Sequence, residues 1–218
     1  MEKIRRVSTL IKPRFITFEG IDGCGKSTQV ELLYKYLISK NIKSIIVREP
    51  GGTSISEEVR DILLSKSNSQ MASHTEALLM SASRAQLTKE IIIPKLNSGH
   101  WVISDRYADS TIAYQGGGRE LNINWLKTLN SFATYEIIPE LTIYLDVPIE
   151  TISKRIPINS DRFEIEGKNF LTLVRNTYNS LAEVEKDRIK SIDGTDDINS
   201  IHQSIIKLIE NKGFLNYE

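Results

Sequence analysis

The stretch FITFEGIDGCGKSTQ, from Phe15 to Gln29, constrains the fold of this chain more than any other. Phe15, Ile16 and Phe18 have the character of a buried strand, the glycines after them demand a tight turn, and Val30, Leu32, Leu33, Tyr36 and Leu37 recur at helical spacing. Gly20, Ile21, Asp22, Gly23, Cys24, Gly25, Lys26 and Ser27, with Thr28 next, fit the pattern G-x-x-x-x-G-K-[ST]. In such a turn successive backbone N–H groups converge on phosphate oxygens, and the helix N-terminus adds the positive end of its dipole. Lys26 is then expected to bridge the β- and γ-phosphates of a nucleotide, and the Ser27 hydroxyl to join the Mg²⁺ shell. The pattern predicts nucleotide binding without saying what is done with the nucleotide.

At 218 residues, 40% hydrophobic and 26% charged, the chain suits one domain with a sizeable core. Lys+Arg and Asp+Glu both number 28, so no global field draws in a nucleic acid polymer or a membrane, and any anion must be held by local clusters. The single cysteine, Cys24, rules out an internal disulfide and suits a reducing compartment. In the phosphate turn it reads as a small residue tolerated there rather than as a redox switch. No run approaches a membrane span, and MEKIRRVSTLIKPR is charged without the apolar core of a signal peptide. Residues 1–13 read as a flexible tail, and the chain as cytoplasmic.

Along the chain, KSIIVREP supplies a second strand stopped by Pro50, Gly51 and Gly52. A helix is predicted from Ile55 to Leu64, carrying Arg60, and a longer one from about Thr75 to Leu96, carrying Arg84, with a break near Pro94. WVISDRY is a third strand that delivers Asp105 and Arg106 at its carboxyl end, where ligands bind in open α/β sheets. Ala108 to Arg119 reads as a short helix running into a mobile loop of three glycines. Further helices are expected over Ile123–Tyr135, from Pro148 to about Arg155, over Lys168–Lys186 and over Ile198–Lys212, with strands LTIYLDV and RIKSID among them. IPINSDRF interrupts this pattern and is a candidate lid, at about 155–165. Strands alternating with helices predict an α/β fold, a parallel sheet covered on both faces.

Arg48, Arg60, Arg84, Arg106 and Arg119 fall where a second anion would need them, since guanidinium forks match phosphate oxygens. Asp105 and Arg106 leave an apolar strand together and need a metal, water or phosphate partner there. Asp22 lies within the phosphate turn, facing either a metal-bound water or an arginine. Asp146 reads as a helix cap. His74, His100 and His202 lack ligand spacing for zinc. No nucleophile and base stand out, as expected for phosphoryl transfer to a phosphate, which needs alignment and charge neutralisation.

FEGIDGCGKST, REPGGT, SEEVRDILL, TEALLMSASRAQL, SDRYADSTIAYQGGGR and LTIYLDVP, in that order, resemble the motifs of thymidylate kinases, which phosphorylate dTMP to dTDP with Mg·ATP. The resemblance implies a three-layer P-loop NTPase fold, a five-stranded parallel sheet with a short lid, and a homodimer. It implies that Lys26 and Ser27 serve ATP and Mg²⁺, that Arg60 and Arg106 hold the dTMP phosphate, and that Asp105 stands near the metal through water. By the same resemblance Asp22 stands near sugar and phosphate, Arg84 reads a thymine carbonyl, Thr111 and Gln115 lie at the base edge, and Tyr114 packs on the deoxyribose. Glu49 and Pro50 line that pocket, with a cis bond between them expected. Met80 replaces the family's usual phenylalanine, which keeps a kinase of another nucleoside monophosphate, or of several pyrimidines, as an alternative. Cys24 replaces the arginine of some members, so Arg155 and Arg162 in the lid are expected to reach the transferring group. A nucleotide-dependent switch is the rival from another class, and it leaves the arginines unexplained.

Overall fold

The computed structural model describes residues 11–155 and 167–216. Five strands form one all-parallel sheet in the order β2-β3-β1-β4-β5: β1 Phe15–Glu19, β2 Ser44–Arg48, β3 Trp101–Asp105, β4 Leu141–Asp146 and β5 Ile189–Asp193. The central β1 is buried along its whole length, as the run FITFE requires of a strand covered on both faces. Phe15 packs with Val47, Leu87, Val102 and Tyr107 in one cluster, while Ile16 and Phe18 join Leu33, Leu37, Ile103, Ile143, Leu145, Ile205 and Ile209 in the other. Each such aliphatic side chain, removed from water, contributes about 1.5–3 kcal/mol. The chain leaves β1 toward β3 and β2 on one side and builds β4 and β5 on the other. That arrangement opens a crevice at the carboxyl ends of β1 and β3.

The helices are α1 Lys26–Ser39, α2 Ser54–Leu64, α3 Ser73–Leu87, α4 Ile93–Asn97, α5 Ala108–Thr111, α6 Ile123–Ala133, α7 Ile149–Arg155, α8 Gly167–Val184 and α9 Ile198–Asn211. Side-chain caps fix where several begin: Thr53 accepts from the Ser56 N–H, Asn122 from the Trp125 N–H, and Asp197 from the Asn199 and Ser200 N–H groups.

Two segments differ from the sequence expectation. The long helix expected to Leu96 does break near Pro94, but through a π-helical turn, Thr88–Ile92, rather than a simple interruption. Proline has no N–H to return to the preceding turn and its ring crowds it, and a widened turn relieves both. The expected mobile loop after α5 is instead a second π-helical turn, Ile112–Gly118, that includes all three glycines. A Cβ at Gly117 would stand 2.1 Å from Thr177 Oγ1 and 3.0 Å from the Leu173 carbonyl, both on α8. Glycine is there to let two helical backbones approach, not to make the chain loose. Residues 1–10 of the expected tail, and all of the expected lid but Arg155, lie outside the described residues.

Candidate active site

β1 ends at Glu19 and α1 begins at Lys26, so residues 20–25 cross the carboxyl edge of the sheet as a loop. Gly25, just before the helix, has φ +102°, a left-handed setting that other residues rarely adopt. The turn it makes brings Lys26, Ser27 and Thr28 onto the wall of an open cavity of about 430 Å³. Lys26 Nζ donates to the carbonyls of Gly20 at 3.0 Å and Ile21 at 3.1 Å, and lies 3.9 Å from the Asp22 carboxylate. The Ser27 hydroxyl donates to Asp105 Oδ2 at 2.7 Å, joining α1 to the end of β3.

The backbone turns sharply at Arg106, whose φ is +72°. A residue other than glycine held there stores about 1–3 kcal/mol. The Arg106 N–H donates to the Phe18 carbonyl at 2.9 Å and the Ser104 hydroxyl donates to the Arg106 carbonyl at 2.6 Å, which hold the turn in place. Its guanidinium donates to Asp22 at 2.8 Å, to the Tyr114 hydroxyl at 3.0 Å and to the Ser110 hydroxyl at 3.1 Å. It also lies over the Tyr114 ring, 4.9 Å from its centroid. Burial works to raise the pKa of Asp22, but Arg106 and then Lys26 outweigh it and hold the carboxyl well below the usual range.

A second arginine lies deeper. Arg84, 2% exposed, donates through Nε to Glu49 at 2.8 Å, through Nη1 to Thr111 and Asn130, each at 2.8 Å, and through Nη2 to the Tyr107 carbonyl at 2.9 Å. All but one of its N–H donors are thereby fixed by protein. Glu49 Oε1 is buried without a protein partner, and burial pushes this carboxyl up to about 7 despite the facing Arg84. The Glu49–Pro50 bond is cis, as expected. Arg60 donates to the Pro50 carbonyl at 2.8 Å. Met80 and Leu64 supply apolar wall beside Pro50, Thr111, Tyr114 and Gln115.

The cavity thus gathers most of the residues singled out in the sequence: Asp22, Gly23, Gly25, Lys26, Ser27, Thr28, Glu49, Pro50, Arg60, Met80, Arg84, Asp105, Arg106, Thr111, Tyr114 and Gln115. Others fall elsewhere. The side chains of Ile21 and Cys24 belong to the hydrophobic core, and burial raises the Cys24 thiol. Arg48 reaches the wall, but its guanidinium is taken by Glu57, at 2.9 Å to each carboxylate oxygen. Arg119 binds the buried Glu76 instead of facing the cavity. Arg155, exposed at the end of α7, donates to the Gly194 carbonyl at 3.1 Å and is not on the cavity wall; Arg162 lies outside the described residues. Asp146 does not cap a helix: Arg175 grips its carboxylate at 2.6 and 2.9 Å and the Tyr144 hydroxyl donates to it at 2.9 Å.

Sequence reasoning missed a buried layer under the cavity. Glu19, with no exposed surface, accepts from the Tyr107 N–H at 2.8 Å, the Ser110 hydroxyl at 2.6 Å and the Tyr178 hydroxyl at 2.7 Å. Burial, joined by the charge of Asp109, raises its pKa. Ser110 and Tyr178 also touch Arg106, at 3.1 and 3.4 Å, so this carboxyl and two hydroxyls set where the guanidinium lies. A charge closing the strand-like run FITFE was the available signal for Glu19; Tyr178 offered none.

A glycine loop joining a buried strand to a helix, at the carboxyl edge of a parallel sheet ordered 2-3-1-4-5 and facing clustered arginines, defines a P-loop phosphotransferase. The thymidylate kinase family model matches residues 18–205. Thymidylate kinase of Fervidobacterium nodosum is 47% identical over 195 residues, spanning 89% of this chain and 97% of that one. That of Thermosipho africanus is 47% identical over 197 residues, spanning 90% and 97%. The crystal structure of thymidylate kinase from Ehrlichia chaffeensis superposes with a TM-score of 0.73 at 32% identity, covering 90% of this chain and 98% of that one. The chain belongs to the thymidylate kinase family.

Proposed function

We propose that the chain transfers the γ-phosphoryl group of ATP to the 5′-phosphate of dTMP, giving dTDP and ADP, with the cavity residues in the roles that follow. The observation that carries this reading is one cavity whose wall carries both the phosphate loop and Arg60, Arg84 and Arg106. Two anions can lie in it side by side. The loop N–H groups and Lys26 hold the ATP phosphates; Arg106 and Arg60 hold the dTMP phosphate, whose oxygen attacks in line. That oxygen is already anionic near neutral pH, so no general base is required, and what the protein supplies is alignment and positive charge. Asp22 holds Arg106 in place and faces the sugar and phosphate; Tyr114 packs on the deoxyribose.

Ser27 and Asp105 suit Mg²⁺. A hydroxyl and a carboxylate 2.7 Å apart on the cavity wall fit an ion that keeps much of its water, the Ser27 hydroxyl as a ligand and the Asp105 carboxylate through a water of the shell. Among the described residues no group of three or more His, Cys, Asp and Glu side chains forms a fuller cage. Held there, the ion would supply positive charge to the nucleotide phosphates. For the base, Arg84 has one N–H left for a pyrimidine carbonyl, Thr111 and Gln115 face the base edge, and Met80 packs on its ring. Arg155 and Arg162 are assigned to the transferring phosphoryl group on the family resemblance.

We read the chain as one domain, a homodimer, and cytoplasmic. Ile55 and Ile62 on α2 and Leu78 on α3, 55%, 46% and 52% exposed, support the dimer, since apolar side chains left in water on adjoining helices suit an interface. A lone buried cysteine fits a reducing compartment, and no helix of the described residues is long and apolar enough to cross a membrane.

Arg106→Ala tests the assignment. It should lower kcat/KM for dTMP about 100-fold or more and leave ATP binding, followed by titration with a fluorescent ATP analogue, near its original strength. Retained turnover in the variant would remove Arg106 from this role.

A further inference from the structure

Glu76 on α3 has no exposed surface and no part in the roles above. Its Oε1 accepts from Gln115 Nε2 at 2.8 Å and from Arg119 Nε at 3.2 Å, and its Oε2 from Arg119 Nη2 at 3.1 Å. The Arg119 guanidinium lies in turn over the Phe170 ring, 4.7 Å from its centroid, which braces the pair against α8. Gln115, 1% exposed, also lines the cavity, beside Thr111 and Arg84.

A primary amide can read two opposite hydrogen-bond patterns by turning over. Thymine presents an N3–H donor beside the O4 acceptor, which an amide meets with its carbonyl on the first and an N–H on the second. 5-Methylcytosine presents an N3 acceptor beside a 4-amino donor, and the same amide turned over meets that equally well. A glutamine free to turn therefore does not choose between them. In this chain turning over would set the Gln115 carbonyl against a carboxylate already engaged by a guanidinium, acceptor against acceptor.

We propose that Glu76 is a positioning residue for base selection: it fixes the Gln115 amide in the orientation that accepts from the N3–H of a keto pyrimidine, and so disfavours amino pyrimidines. This rests on the reading above, in which the base lies against Arg84, Thr111 and Gln115. An amino pyrimidine then meets two mismatches, its 4-amino group against the Arg84 N–H and its N3 against the Gln115 carbonyl. Freeing the amide removes one of them.

The test compares kcat/KM for dTMP and for 5-methyl-dCMP, which share sugar, phosphate and methyl group, in the native chain and in Glu76→Gln. The isosteric amide can donate as well as accept, so Gln115 gains the second orientation. The preference for dTMP should fall about tenfold, mainly through a gain with 5-methyl-dCMP. If Glu76 only ties α3 to the Ile112–Gly118 turn, both acceptors fall together and the ratio stays, which overturns the proposal. Glu76→Asp, which withdraws the carboxylate by one methylene and keeps its charge, decides the matter by the same ratio should Glu76→Gln fail to fold. Turnover of dTMP by the native chain separates the two failures. Without it the proposed function falls and takes this inference with it; with it, an unchanged ratio removes only the role of Glu76.

Discussion

Glu49 and Arg84 form a nearly dry pair, with side chains 4% and 2% exposed, at the deep part of the cavity. Bringing these two charges out of water is costly, and one Glu49 oxygen has no protein partner to offset it. The consequence is a carboxyl that titrates near neutrality. Its pKa rises from 4.5 to about 7 on folding, so the folded chain keeps a proton that the unfolded chain releases across that interval. Stability contributed by this group is therefore present in acid and is lost as the pH rises through about 7. We expect the native chain to lose stability relative to Glu49→Gln between about pH 5 and about pH 8, as measured by urea denaturation of both proteins at each pH. A difference that stays constant would show that Glu49 is ionised throughout. Lys26, Ser27, Asp105 and Arg106 were legible in the sequence because each stands in a short motif whose chemistry is local. The grip of Tyr178 on Glu19 joins residues 159 positions apart, and Arg175 on Asp146 joins residues 29 apart; no local pattern encodes either.

Among the elements, the Ile112–Gly118 turn ties the cavity to α8, since it carries Tyr114 and Gln115 on the cavity wall and packs on that helix. Its glycines looked like a loop signal because glycine is read first as backbone freedom. Here what matters is the missing side chain, which depends on a partner helix that begins at Gly167. The parallel sheet, the buried β1 and most helix limits were legible, because hydrophobic period and turn signals are local properties; the strand order was not, since it is set by contacts between distant segments. The two π-helical turns were not, since a widened turn keeps nearly the same apolar spacing as an α-helix. Gly117→Ala would drive its Cβ into Thr177 and toward the Leu173 carbonyl, and should cost about 1–3 kcal/mol. Because α8 must move away, Tyr178 is drawn from Arg106, and kcat for dTMP should fall along with the melting temperature. A Gly117→Ala enzyme with native stability and turnover would contradict the close packing described for this turn.

At the scale of the whole molecule, equal numbers of acidic and basic residues leave little net field, so the hold on an anion that we propose rests on the local cluster of Lys26, Arg60, Arg84 and Arg106 at the cavity. The apolar side chains that remain in water lie partly on α2 and α3, helices that also carry Arg60, Met80 and Arg84. A dimer through that face would brace the substrate side of the cavity. Sedimentation equilibrium should give twice the 24.7 kDa chain mass, and Leu78→Glu should shift it toward the monomer. A native chain that sediments as a monomer would remove the homodimer.

The most direct test of what this cavity does is a coupled ADP-release assay with Mg·ATP and dTMP, dUMP, dCMP and UMP as acceptors, run beside Arg84→Ala. ADP release should depend on the acceptor, favour dTMP, and lose that preference in the variant. Release spread evenly over the pyrimidines would keep the kinase and remove the thymine-reading role of Arg84. No acceptor-dependent release at all would contradict the proposed phosphoryl transfer to dTMP.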